Sequence, residues 1–365
     1  VVIAEISALV DAAVAEGVFP AAQVAIRAGG RALHESAHGG FGPARADLFT
    51  LFDVSSLTKV VATTTLVYRM VSAGQLSLDD EVGRFFPEAG CREATIRDLL
   101  AHRSGLPAWR PLFSAARSRE EVVAAALGIP LEGAPGGDRR YSDVGFIVLG
   151  AILEAVAGAR LDTLFSREVA APLGLTRTSY RPLPAARDPV DGGRLAIAPT
   201  GDRRPRWPAL GQEGSYEPGP EVRDAGEVDD DNAWAMGGVA AHAGLFSTAH
   251  EVASWAETLY EELEGAGRLG RAGVLAEMAA RGLGFDRPSE TGYSSSGRIL
   301  GRLGPRGAIG HLGFTGCSVW LDLDRGVSAV LLSNRVFPNR KNEDIRAFRP
   351  LFHDRVMECL QKMET

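Results

Sequence analysis

What most limits how this chain can fold is where its strand-forming segments lie: near the two ends of the sequence, with helical patterns between them. The clearest hairpin is C-terminal, where Val319 to Leu323 and Val327 to Ser333 flank the turn Asp324-Arg325-Gly326. Near the other end, Gln23 to Ile26 and Ala32 to Ser36 flank Ala28-Gly29-Gly30-Arg31, which has the composition of a tight hairpin turn. Parallel strand-helix-strand alternation is not seen. The pattern therefore predicts an α+β fold: one antiparallel sheet built from both termini and flanked by helices, plus a mainly helical portion from the middle. The expected organisation is a single unit over 1–365, with 1–55 and 249–365 forming the sheet portion and 56–248 the helical portion.

The helices announce themselves by spacing and by their ends. Ile3, Ile6, Val10, Ala13 and Val14 recur at helical intervals before Gly17, and a second apolar-faced helix is expected from Lys59 to Ala73, stopped by Gly74. Thr95 with Asp98, Ser118 with Glu121, and Thr248 with Glu251 have the spacing of N-terminal caps ahead of apolar residues. An apolar helix follows Tyr141-Ser142-Asp143 and stops at Gly158, and a last one is expected over roughly Glu343 to Leu360. Between Tyr180 and Asp230 fall eight of the 20 prolines, so an irregular excursion is expected there.

Composition narrows the function classes. With 365 residues, 45% of them apolar, the chain can bury a large core, which excludes disorder, a collagen-like rod and a disulfide scaffold. A net charge of −7 leaves no basic surplus for a polyanion, so nucleic acid is not an expected partner. Cys91, Cys317 and Cys359 are far apart and form no CxxC pair, so reduced, mostly buried thiols are expected and not a zinc site. No apolar run reaches the roughly 18 residues of a membrane span. The chain starts Val1-Val2-Ile3 without a basic segment leading into an apolar one, so any export signal is read as absent or trimmed; a soluble protein, cytoplasmic or periplasmic, of open oligomeric state is expected.

Only three of the 39 basic residues are lysine: Lys59, Lys341 and Lys362. Lys59 stands in Ser55-Ser56-Leu57-Thr58-Lys59, a Ser-x-x-Lys at the start of a helix, where one helical turn lets the Ser56 and Lys59 side chains meet. A serine hydroxyl needs a neighbouring base to become a nucleophile, and a lysine kept at this position in an arginine-rich chain is what a site needing a deprotonable amine would show, since arginine cannot serve. The expectation is that burial lowers the lysine pKa enough to free the amine. Tyr141-Ser142-Asp143 is a second candidate, though a tyrosine at a turn is commonly a half-buried aromatic. The third is Gly310-His311-Leu312-Gly313-Phe314-Thr315-Gly316, whose glycines let a substrate backbone approach a strand and whose edge amide can serve as an oxyanion donor.

Ser-x-x-Lys, Tyr-x-Asp and His-x-Gly in this order resemble the serine β-lactamase and penicillin-binding-protein superfamily, most nearly its class C-like branch with esterase-like relatives. Thr95-Ile96-Arg97-Asp98-Leu99-Leu100-Ala101-His102-Arg103-Ser104-Gly105-Leu106-Pro107, Gly237-Gly238 and His242-Ala243-Gly244-Leu245-Phe246 are similar to further stretches of that family, and the likeness runs from about Ala22 to Asn334. It implies a β-lactamase-like fold and acyl transfer without metal or cofactor. By the same resemblance Ser56 would attack a carbonyl, Lys59 would be its base or proton relay, and Tyr141 would shuttle protons. The amides of Ser56 and of Phe314, which follows Gly313, would form the oxyanion hole, and Asp143 and His311 would line the substrate pocket.

Three departures bear on the substrate. Asp143 stands where the family often has asparagine, His311 is expected to be neutral near pH 7, and Leu312 replaces a hydroxyl residue. A pocket so lined is less adapted to a β-lactam carboxylate, so a small-molecule carboxylic ester is the preferred acyl substrate. The alternatives are a β-lactamase or D-amino-acid peptidase acting on cell-wall fragments, and a penicillin-recognising module that does not turn over. His34 and His38, on an expected strand, are not read as a zinc pair. The run Asp229-Asp230-Asp231 is read as a solvated loop, with Asn232 and Trp234 bordering the site.

Overall fold

The computed structural model describes residues 2–116, 118–181, 190–191, 194–201, 226–289 and 304–364. Among them the strands are β1 (Ala21–Ala28), β2 (Arg31–Phe41), β3 (Ala44–Asp53), β4 (Ser179–Tyr180), β5 (Val190–Asp191), β6 (Arg194–Ile197), β7 (Leu245–Ser247), β8 (Ala308–Leu312), β9 (Ser318–Asp322) and β10 (Val327–Ser333). The two expected hairpins meet at the middle of one sheet. β1 pairs antiparallel with β2 on one side and with β10 on the other, from Ala22↔Ser333 to Ala28↔Val327. Strand order is β4-β7-β3-β2-β1-β10-β9-β8, so the first and last strands of the sequence are neighbours. The β1–β2 turn is closed by Gly29 and Gly30 at φ 56° and 77°, the left-handed pair that a two-residue hairpin demands.

Apolar residues alternate along these strands, and both faces are covered. Helices Val2–Ala15 and Ile345–Glu364 lie over one face, where Ile6, Val10, Phe19, Trp320, Phe348 and Phe352 form one cluster. Helix Ala249–Leu263 covers the other face and joins a larger cluster that includes Val60, Leu66, Phe146, Leu149 and Trp255. Each such buried side chain contributes roughly 1.5–3 kcal/mol from area removed from water. No single helix among the described residues is long and apolar enough to cross a membrane. Helix Asp143–Ala157 buries Val144 to Leu153 in the larger cluster.

The helix ends are where their caps place them. Thr95 and Asp98 form a reciprocal capping box, and the Ser118, Ser142 and Thr248 hydroxyls accept from the amides of Glu121, Gly145 and Glu251. Two features differ from expectation. Lys59–Thr64 is π-helical before the α-helix Thr65–Ser72, although the apolar spacing there suits a regular helix. β3, which the sequence reading did not single out, carries Leu48 and Phe49 exposed and pairs in parallel with β6, the one parallel pairing described in an otherwise antiparallel sheet. Of the proline-rich excursion, 182–189, 192–193 and 202–225 lie outside the described residues.

Candidate active site

Strand β3 ends at Asp53 and the chain turns sharply into the helical run that begins near Leu57. Ser55 sits in that turn at φ 50°, a left-handed conformation that a non-glycine residue adopts only when its surroundings hold it there. Asp53 does the holding: its Oδ1 accepts the Ser55 amide at 2.8 Å and its Oδ2 the Asp229 amide at 2.6 Å. Ser56 follows, half-buried, with its side chain at the mouth of a cavity of about 580 Å³.

Lys59 lies one turn on and has no exposed surface. Its Nζ donates to Ser56 Oγ at 2.9 Å and to the His242 carbonyl at 3.2 Å, and it lies 2.7 Å from Asp143 Oδ1. The Tyr141 phenol lies close enough to interact with both Lys59 and Ser56, and the Lys59 ammonium stands 4.9 Å from the Tyr141 ring centroid. Burial alone would depress the Lys59 pKa, but Asp143 and then Tyr141 outweigh it and hold it above the ordinary lysine value. The expectation of a lowered lysine pKa is therefore corrected: the carboxylate at position 143, where an asparagine would be neutral, keeps the amine protonated at rest. Burial, reinforced by Asp143 and opposed by Lys59, also raises the Tyr141 phenol.

His102 fixes the Tyr141 segment from beneath. Its ring lies 4.6 Å from the Tyr141 ring, and its Nδ1 accepts the Ser142 amide at 3.0 Å. Burial, with Lys59 and His311 adding to it, keeps His102 neutral. His311, on the edge strand β8, donates from Nδ1 to the Leu312 carbonyl at 2.7 Å; a carbonyl can only accept, so Nδ1 carries the proton. Burial and then Lys59 push its pKa down to about 4, which leaves Nε2 an acceptor and the ring uncharged, as expected.

The turn after β8 folds back onto the end of β3. Thr315 Oγ1 donates to the Asp53 carbonyl at 2.7 Å, and the Phe314 amide donates to Ser55 Oγ at 3.2 Å. The approach is close enough that a Cβ on Gly313 would meet the Val54 carbonyl oxygen at 2.6 Å, which explains glycine there. Ser56, Tyr141, Asp143, His311 and Phe314 line the cavity together; Lys59 reaches Ser56 from behind, and Gly313 is not among the lining residues.

Sequence reasoning missed much of the remaining wall. Trp109, Arg139, Asp286, Arg340 and Arg346 also line the cavity, and no local motif marks any of them. Arg139 is held by Asp286 at 3.3 Å and Arg346 by Glu343 at 2.8 Å. The acidic run is not a solvated loop. Asp229 and Asp231 are buried against Arg340, at 2.9 and 3.4 Å, and Asp230 accepts from His242 Nε2 at 2.8 Å. Asn232 is fully buried and ties the Arg110 carbonyl to the Phe113 amide, so it anchors the segment that carries Trp109; Trp234 is not among the cavity's lining residues. All three cysteines are buried and free, and burial pushes Cys317 up to about 11, which removes it as a rival nucleophile. A larger groove of about 820 Å³, between Asp162 and Tyr180, contains no lysine or histidine.

Known proteins resemble the chain over most of its length. The chain is 30% identical over 328 residues to an Escherichia coli (strain K12) protein named “Putative D-alanyl-D-alanine carboxypeptidase”, covering 80% of this chain and 71% of that one. Among solved structures, EstCE1, described as a hydrolase with promiscuous acyltransferase activity, superposes with a TM-score of 0.71 at 23% identity, covering 97% of this chain and 98% of that one. The D-amino acid amidase from Ochrobactrum anthropi SV3 superposes with a TM-score of 0.69 at 20% identity, covering 100% and 99%. Both likenesses concern the fold. The Beta-lactamase family model matches residues 6–352, nearly the whole chain, and the protein belongs to the β-lactamase family of hydrolases.

Proposed function

We propose that the protein is a serine hydrolase that forms a covalent acyl-Ser56, and that carboxylic esters are its preferred substrates, with water or another small nucleophile accepting the acyl group. The observation that carries this reading is the 2.9 Å contact between Ser56 Oγ and the buried Lys59 Nζ, with the Tyr141 phenol beside both. An ammonium cannot accept a proton, so Lys59 acts as base after the Lys59, Asp143 and Tyr141 group has released one. The Oγ–carbonyl bond then forms as the Ser56 proton moves to Lys59 Nζ. Collapse of the tetrahedral adduct breaks the ester C–O bond, and Tyr141, resupplied by Lys59, protonates the leaving alkoxide. Deacylation runs the same steps with water as the nucleophile. The developing oxyanion takes over the Phe314 N–H from Ser55 Oγ and also accepts from the Ser56 N–H.

The ester preference rests on the wall. His311 is neutral and presents an acceptor, and Leu312 is apolar, so these two positions supply no cation to a β-lactam carboxylate. The arginines elsewhere in the lining are paired with carboxylates, Arg139 with Asp286, Arg340 with Asp229 and Arg346 with Glu343. The name of the 30% identical relative supports a second reading, a peptidase releasing terminal D-alanine.

A p-nitrophenyl ester, a chromogenic cephalosporin, a peptide ending in D-alanyl-D-alanine and a labelled penicillin, assayed side by side with intact-mass detection of adducts, separate these readings. The expected result is ester turnover that disappears in Ser56→Ala. Ester turnover that survives that substitution would falsify the mechanism. Peptide or cephalosporin cleavage faster than ester cleavage overturns the preference, and a stable penicillin adduct without turnover of any substrate points to a binding module.

A further inference from the structure

Arg349 is among the largest fully buried side chains of the molecule, with 1% of its surface exposed, in the C-terminal helix Ile345–Glu364 on the sheet face that Ile6, Phe19 and Phe352 cover. A buried guanidinium is costly unless its donors are used. Arg349 Nη2 donates to the carbonyl oxygen of Gly313, which also accepts the Gly316 amide at 3.1 Å. Gly313 C=O and Phe314 N–H belong to one peptide unit. That unit is planar and trans, so its carbonyl and its N–H point in opposite directions, and fixing one aims the other. The aimed N–H reaches Ser55 Oγ, beside Ser56.

We propose that Arg349 is the positioning residue of the oxyanion hole: its bond to the Gly313 carbonyl orients and polarises the peptide whose N–H, on Phe314, meets the carbonyl oxygen of the substrate as Ser56 attacks. The proposal rests on the acyl-Ser56 reading. Two effects act together. Loss of the anchor lets the 313–314 peptide rotate, and the pocket loses an N–H held where charge develops. A cation on the carbonyl side also strengthens the N–H as a donor, because hydrogen bonds through one amide reinforce each other. The neighbourhood is built around this cation: burial and then Arg349 push His353, one turn along the same helix, down to about 3, and its Nε2 is paired with Ser318 Oγ at 2.9 Å. Arg335 holds the next carbonyl, that of Phe314, at 2.7 Å, and lies 4.2 Å from the Phe314 ring. That peptide carries the Thr315 N–H, so Arg335 shapes the wall and leaves the donor to Arg349.

The test uses the full chain with a p-nitrophenyl ester. It compares wild type, Ser56→Ala, Arg349→Met and Arg349→Lys, each normalised to intact sites by titration with a phosphonate, which reacts with the serine itself. The expected outcome for Arg349→Met is kcat about 10- to 100-fold lower with KM within threefold, since complete loss of an oxyanion donor costs about 100- to 1,000-fold. A boronic acid that mimics the tetrahedral adduct should weaken by a similar factor. Arg349→Lys, which keeps the charge and one donor, should recover part of both losses. A merely structural role lowers the titrated site number and leaves kcat per site and boronate affinity unchanged, and that result overturns the proposal. If Arg349→Met does not fold, Arg349→Lys decides, because kcat per site within twofold of wild type also overturns it. Should wild type and Ser56→Ala hydrolyse the ester equally, the acyl-Ser56 reading fails, and that outcome is distinct from the arginine result.

Discussion

Two walls of the cavity each carry buried ion pairs of similar length, yet only one has the makings of chemistry. On the first, Lys59 lies 2.7 Å from Asp143; on the second, Arg340 lies 2.9 Å from Asp229 and 3.4 Å from Asp231. Both cations are held by carboxylates. The difference is what else the cation touches. Lys59 reaches a serine hydroxyl and a phenol and can lose its proton, whereas Arg340 touches carboxylates, the Asp229 carbonyl and, at 5.4 Å, the Phe314 ring, and cannot. A short buried ion pair is therefore weak grounds for assigning a role. A deprotonable amine beside a hydroxyl is strong grounds.

The sharpest way to break this contrast is to make the first wall resemble the second. Lys59→Arg keeps charge and approximate length but cannot supply a neutral amine, so ester turnover is expected to fall by about 100-fold or more, the range attached to loss of a general base. Steady-state kinetics on that variant, with its fold checked by circular dichroism, decides the matter. Near-native kcat would show that Lys59 is only a fixed charge, like Arg340.

A subtler change concerns Asp143. Because the carboxylate holds Lys59 protonated, activity of the wild type should rise with pH as the group sheds its proton. Asp143→Asn removes that hold, the Lys59 pKa falls, and the rising limb of kcat/KM should move to lower pH by about 1 to 3 units, the usual effect of an adjacent opposite charge. The pH–rate profile of the two proteins is the measurement. A limb that moves to higher pH would mean that the carboxylate itself receives the proton, making Asp143 a member of the relay.

The same contrast explains what could be read from the sequence. Ser56 and Lys59 are three residues apart on a helical turn, so their encounter is a local event that spacing reveals. The caps at Thr95, Ser118 and Thr248 and the Gly29-Gly30 turn are equally local, and each lies where its chemistry placed it. Arg340 and Asp229 meet across more than a hundred residues, as do Arg139 and Asp286, and nothing near any of them signals a partner. An acidic triplet read by composition looks solvated; only the tertiary fold supplies the arginine that buries it. The sign of the Lys59 shift failed for the same kind of reason. Burial was anticipated, but its competition with a carboxylate 84 residues away depends on a distance of 2.7 Å that no spacing encodes. β3 escaped attention because its exposed Leu48 and Phe49 break the alternation that marks a half-buried strand.

The second wall yields the smallest effect on chemistry and a distinct signature. Arg340→Gln leaves Asp229 and Asp231, 3% and 8% exposed at their side chains, facing each other without their shared cation. Uncompensated buried carboxylates cost about 3 kcal/mol when a buried pair is broken from one side. Chemical denaturation should therefore show a stability loss of that size. The same variant should keep the pH position of its kcat/KM limb, because Lys59, Tyr141 and Asp143 are untouched and Arg340 is not among the groups that shift Lys59 or Tyr141 most strongly. A limb displaced as far as in Asp143→Asn would tie the two walls into one electrostatic unit, and the distinction between a reacting pair and a structural one would fall.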